Sequence, residues 1–222
     1  MSKAGLDQIS GLGFSVKLQD AYSHRVRLGY RRFYLPDKLT YDAGILRCLL
    51  EFQLEPPADH AMLIQYEAML QTELLIEHLV ADPVNSRHLE KLFQEINWNA
   101  PAFTKGYLLQ YGQLDETLEA RLGIILKAME QLMAAGEEGR TISERLQLKY
   151  WYDSSFNREY LDGGNLEELC RKYFPSRTFT RGQGLVPVDK AYDLLIPRRG
   201  GHPSTAKRDK PGARKTLQAR KG

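Results

Sequence analysis

The chain has 222 residues, enough for one domain of ordinary size plus tails. Hydrophobic residues make up 42% and charged residues 27%, so the chain can bury a core. Its 31 Lys/Arg against 28 Asp/Glu give a net of +3, but residues 197–222 hold nine Lys/Arg and one Asp, a net of +8, which leaves 22 basic and 27 acidic groups, −5, before them.

Residues 1–13 are small and Gly-rich and read as a flexible N-terminus. They lack the charged-then-apolar order of a signal peptide. Phe14, Val16 and Leu18 then alternate with Ser15, Lys17 and Gln19, and Val26, Leu28, Tyr30, Arg32 and Tyr34 fall on one parity. Period two predicts half-buried strand. The interval 19–24 then closes a basic β-hairpin over 14–38, packed on the core. Pro36 and Asp37 end it.

From Thr40 the period changes. Ile45, Leu46, Leu49, Leu50 and Phe52 predict a buried helix, stopped by Pro56 and Pro57. Leu63, Tyr66, Leu70, Leu74 and His78 form the stripe of a second helix running to about Val80. Asp82 followed by Pro83 marks another helix start, which carries Leu89, Leu92, Phe93 and Ile96. A short helix holds Phe103, Tyr107 and Leu108. The clearest stripe, Leu114, Leu118, Leu122, Ile125, Met129 and Leu132, predicts a core-facing helix over 114–133. Gly136 and Gly139 read as terminators. Thr141 ahead of Glu144, and Asn165 ahead of Glu168, are capping patterns that open two further helices. Residues 176–187 read as loop, and Val188, Tyr192 and Leu195 as a last short helix.

Residues 197–222 contain no aromatic residue and one large aliphatic, Leu217. Such a segment cannot offset the entropy of ordering by apolar burial, which predicts a disordered basic tail. The expected fold class is therefore mainly α: a helical, bundle-like domain over 39–196 with a small N-terminal β-hairpin or extended segment.

Two basic segments suggest an anionic partner. In the tail, Arg198, Arg199, Lys207, Arg208, Lys210, Arg214, Lys215, Arg220 and Lys221 suit phosphate backbones through counterion release. The same charges also suit an acidic protein or an anionic membrane surface. In the expected hairpin, Arg25, Arg27 and Arg31 share one parity, with Arg32 beside them. Tyr30, Phe33 and Tyr34 interleave with them, a pattern that suits base stacking with phosphate contact. Arg177 and Arg181 extend the set. A helix-turn-helix built from the two capped helices is disfavoured: their connection is longer than such a turn, and Glu167 and Glu168 open the second helix.

Enzyme chemistry finds little support. The five histidines are scattered, no metal-binding motif is present, and Gly11-Leu12-Gly13 and Gly182-Gln183-Gly184 lack the rest of a phosphate loop. No nucleophile elbow occurs. Neither a cofactor nor a metal is expected. Cys48 and Cys170 lie in apolar stretches, as buried thiols of a cytoplasmic protein do. No apolar run is long enough to insert in a membrane. These residues predict a non-enzymatic nucleic-acid-binding protein that contacts the DNA or RNA phosphate backbone with weak sequence preference, within a homo-oligomer or larger complex. The alternative is a helical adaptor or scaffold subunit: Tyr150, Trp151, Tyr152, Phe156 and Tyr160 exceed what one helical stripe can bury, core packing explains most of them, and an exposed remainder would anchor an interface.

Overall fold

The computed structural model describes residues 4–54, 60–76, 80–81, 84–161 and 166–196. They divide into two compact units, one drawn from Met1–Thr72 and Pro175–Gly222, the other from Glu73–Phe174.

The first unit is built on a four-stranded antiparallel sheet. Strands β1 (Arg32–Tyr41), β2 (Gly44–Leu54) and β3 (Ala61–Gln71) form a meander, and β6 (Ser176–Thr180) returns beside β3. Helices α1 (Ala4–Gly11) and α8 (Val188–Leu195) pack on β3, and α2 (Leu18–Arg27) packs on β1. The core lies between helices and sheet. Phe33, Leu35, Leu46, Leu50, Phe52, Leu63 and Tyr66 meet Ile9, Leu18, Tyr22, Val188 and Tyr192 there. Side chains of α1 and α2 hold the backbone at the start of β3. Gln8 Oε1 accepts the Leu63 N–H at 3.0 Å, and the Tyr22 hydroxyl donates to the Ala61 carbonyl at 2.6 Å.

This architecture corrects the mainly α expectation. It is an α/β fold, with a β-meander in the middle of the chain where helices were expected. Two features of the strands mimic helical spacing. First, β2 is apolar on both faces: Leu46, Cys48, Leu50 and Phe52 face the core, while Ile45 and Leu49 face away, so the run simulates i, i+3, i+4. Second, β3 contains a bulge. Glu51 pairs with Gln65 and Phe52 with Leu63, which leaves Ile64 extra. The bulge stretches one inward step, Leu63 to Tyr66, to three residues, as a helix would.

The expected hairpin over 14–38 is also corrected. Its first half contains α2, and β1 pairs with β2. Val16 and Leu28, assigned to one buried face, are 73% and 56% exposed. Residues 4–11 of the expected flexible N-terminus form α1, whose Ile9 is fully buried. Residues 176–180 of the expected loop form β6.

The second unit is helical. A small β4–β5 ladder (Val80–Ala81, Val84–Asn85) leads into α3 (Ser86–Glu95), where the Asn85 side chain accepts the N–H groups of Arg87 and His88. Next come α4 (Lys105–Tyr111), α5 (Glu116–Ala134), α6 (Glu137–Tyr150) and α7 (Leu166–Tyr173). The apolar stripe places α5 correctly, with Leu122, Ile125, Met129 and Leu132 buried. Gly139 lies inside α6 and terminates nothing. Phe93, Trp98, Phe103, Trp151 and Phe156 form an aromatic core, with Trp98 and Trp151 each 5.0 Å from Phe156. Burial therefore accounts for Trp151 and Phe156 of the aromatic run. Among the described residues, no helix is long and apolar enough to cross a membrane.

Candidate nucleic-acid interface

The basic residues gather where α2 ends. Leu28 is its C-cap, and Gly29 follows with φ +74°, a left-handed conformation that glycine adopts without steric cost. Gly29 N–H donates to the Val26 carbonyl at 2.9 Å, and Tyr30 N–H donates to the Arg25 carbonyl at 3.3 Å. This paired pattern is a Schellman closure, which normally carries an apolar contact between its third-last helical residue and the second residue past the cap. Here Arg25 and Tyr30 make that contact: the guanidinium carbon sits 5.1 Å from the ring centroid. Arg25 and Arg27 also complement the negative end of the helix, worth about 0.3–1 kcal/mol each at exposed positions. Arg27 Nη2 donates to His24 Nδ1 at 3.3 Å.

Beyond the turn, the Arg31 carbonyl accepts the Leu54 N–H at 2.8 Å, which ties the segment to the end of β2. Arg31, Arg32, Gln53 and Leu54 line an open depression there. Arg32 forms an ion pair with Glu51, and its guanidinium lies 5.8 Å from the Tyr34 ring centroid. Gln65 Nε2 donates to Glu51 Oε2 at 2.7 Å. Glu51 is only 2% exposed. Burial raises the pKa of its carboxyl, but the hydrogen bonds from Arg32 and Gln65 outweigh that and hold it below its ordinary value. Tyr34, Glu51, Gln65 and Thr180 occupy one row across all four strands, on the face opposite α1, α2 and α8.

The fold thus clusters Arg25, Arg27, Arg31 and Arg32 around one turn, all exposed. Among the described residues, Glu51 is the carboxylate that pairs with this set. Tyr30 and Tyr34 are 44% and 47% exposed beside them. Phe33, grouped with them in the sequence, points into the core at 4% exposure.

Arg177 and Arg181 are not part of the cluster. Arg177 lies opposite Ala68, with its guanidinium carbon 5.5 Å from the Phe179 ring centroid, on the helix-covered face. Arg181 follows β6 at the same end of the sheet as Arg32. Three strand spacings, roughly 14 Å, separate their edges. Arg198, Arg199, Lys207, Arg208, Lys210, Arg214, Lys215, Arg220 and Lys221, with the tail they belong to, lie outside the described residues.

Glu51, Gln53, Leu54 and Gln65 escaped sequence reasoning because β2 and β3 read as helices. The glycine after a helix end rich in basic residues was the available signal for the turn.

The helical unit carries two polar networks. Glu90 Oε1 accepts from Lys149 Nζ at 2.8 Å and from the Tyr150 hydroxyl at 3.1 Å, tying α3 to α6. Glu144 Oε2 accepts from Lys172 Nζ and the Tyr173 hydroxyl, both at 2.6 Å, tying α6 to α7. Each joins neighbouring helices. Among the described residues, no group of three or more His, Cys, Asp or Glu side chains is placed to hold a metal ion. No protein family, curated protein or solved structure matches the chain.

Proposed function

We propose that this is a non-enzymatic nucleic-acid-binding protein that grips the phosphate backbone with weak sequence preference. The supporting observation is the exposed cluster Arg25, Arg27, Arg31 and Arg32 around the Gly29 turn, where Glu51 pairs with Arg32. Charges held this way contact phosphates and fix position without reading bases. The tail arginines and lysines add adjustable, non-specific affinity. In this proposal the protein works in the cytoplasm, where two buried thiols stay reduced.

Anisotropy titration of labelled oligonucleotides with the full chain, across a salt series, tests it. Each phosphate neutralised contributes about 0.9 to the log–log salt slope on duplex and about 0.7 on single strands. Replacing Arg25, Arg27 and Arg31 together by Gln therefore lowers the slope by about 2 to 3. Deleting residues 197–222 lowers it further. Absence of binding at low salt, or a slope unmoved by both changes, overturns the proposal.

A second reading, an adaptor subunit, draws on the helical unit, where Leu109 and Tyr111 of α4 are 89% and 58% exposed. Complexes that persist through nuclease and high salt favour it.

A further inference from the structure

We infer that the surface around the Gly29 turn takes single-stranded nucleic acid in preference to duplex, with Tyr30 and Tyr34 as stacking platforms. This rests on the nucleic-acid reading above and extends it to the kind of strand bound.

The observation is a repeated pairing. Arg25 sits over the Tyr30 ring at 5.1 Å and Arg32 over the Tyr34 ring at 5.8 Å. Both tyrosines are nearly half exposed. Each is also held in place. Tyr30 is fixed by the Schellman hydrogen bond to Arg25, and Tyr34 by strand pairing with Glu51. They are four positions apart in the chain, so their Cα atoms lie at most about 14 Å apart, within the span of a short oligomer.

A backbone-only reading uses the arginines packed on these rings but not the rings' exposed surface. Within a duplex the base faces are stacked on one another and cannot reach a protein ring. In a single strand they are accessible, and aromatic rings beside cations bind them with little regard to sequence. Reading the bases of a duplex has further needs. A helix or ribbon must enter a groove, yet α2 presents its C-terminal end here, and Phe33 and Leu35 of β1 are buried in the core. The occupant is a polyanion because the cluster holds four guanidinium groups with Glu51 as the paired carboxylate. It carries exposed bases because two rings wait beside those charges.

The test uses the full chain with fluorescein-labelled dT12, U12 and a 12-base-pair duplex at matched salt. The expected result is tighter binding of both single strands than of the duplex. The double variant Tyr30→Leu/Tyr34→Leu weakens single-strand binding, each ring accounting for a factor of about 5 to 150, and leaves duplex affinity and the salt slope unchanged. The variant Tyr30→Phe/Tyr34→Phe, which keeps the rings, binds as the unmodified chain does.

A second measurement needs no substitution. A 5-iodouracil-substituted single strand, photocrosslinked to the unmodified protein, attaches at Tyr30 or Tyr34. Comparison of dT12 with U12 separates DNA from RNA as the source of the strand. Duplex bound as tightly as single strand, or crosslinks that avoid both tyrosines, overturns the inference and leaves the backbone reading standing. Binding of none of the three probes overturns both.

Discussion

The helical unit enters and leaves the sheet unit at one point, so removing it should leave the sheet folded. The chain leaves β3 after Gln71 and re-enters at Pro175, whose carbonyl accepts the Leu70 N–H at 3.0 Å. Replacing Glu73–Phe174 by Asn-Gly converts this crossing into a short hairpin between strands already paired. The buried clusters of the two units share no residue. The gain is calculable. Were the 102 inserted residues unfolded, closing β3 onto β6 around them would cost more than closing a loop of about six residues, by about 2.5 kcal/mol from (3/2)RT ln(102/6). The excised variant is therefore expected to be more stable by about that amount than the sheet unit of a chain whose insert is unfolded by a buried charge, for example Phe156→Asp. Urea titrations followed by circular dichroism read both. A single cooperative transition with strand-rich far-UV signal is expected from the excised chain. Its absence would refute the inference that the sheet unit holds its own core.

Phe52 is fully buried and stacks on Phe33 at 5.2 Å, so Phe52→Ala is expected to cost about 3–5 kcal/mol, read as a lower urea midpoint. Gly139→Ala sets two effects against each other. Helix propensity favours alanine by about 1 kcal/mol, but its Cβ would lie 1.9 Å from the Leu132 carbonyl oxygen, a backbone atom. The clash should win and the melting temperature fall; a rise would show that the two helices relax apart. Glu144 has its carboxyl raised by burial but lowered more by hydrogen bonds from Lys172 and Tyr173, so its pKa lies below the ordinary value of about 4.3. Its stabilisation is fully present above that value and lost as pH falls through the lower folded one. Glu144→Gln should therefore lower stability at pH 7 and flatten its decline below about pH 4.3, and an equally steep decline in urea midpoints would count against the linkage.

The helical unit was the most legible part of the sequence, because α5 has one apolar stripe and a polar remainder, and Asp115 caps it by accepting the Leu118 N–H at 3.0 Å. Strand character was legible over part of β1, but on the wrong parity: Tyr34 was read with the inward row, whereas Phe33, Leu35 and Asp37 are buried, and the strand runs past the expected end at Pro36 to Tyr41. In β2 and β3 it was not. A strand apolar on both faces has no period to read, and the Ile64 bulge changed the period of the other. The arginines of the site were visible as charge, but their arrangement was assigned to a strand parity that does not exist. A helix cap and a glycine turn bring them together, while long-range pairing supplies Glu51 and Gln65. Local chemistry could indicate the turn; the pairing partners depend on register, which a bulge shifts.

The two cysteines offer a different use of the same architecture. Cys48 lies in β2 and Cys170 in α7, one in each unit, and both are buried, at 3% and 1% exposure. Burial, and secondarily the charge of Asp37, pushes the Cys48 thiol upward, so it stays protonated and slow to alkylate while its strand is paired. With just two thiols in the chain, timed exposure to an alkylating reagent becomes a pair of clocks: label at position 48 records the opening of the sheet, and label at position 170 the opening of the helices.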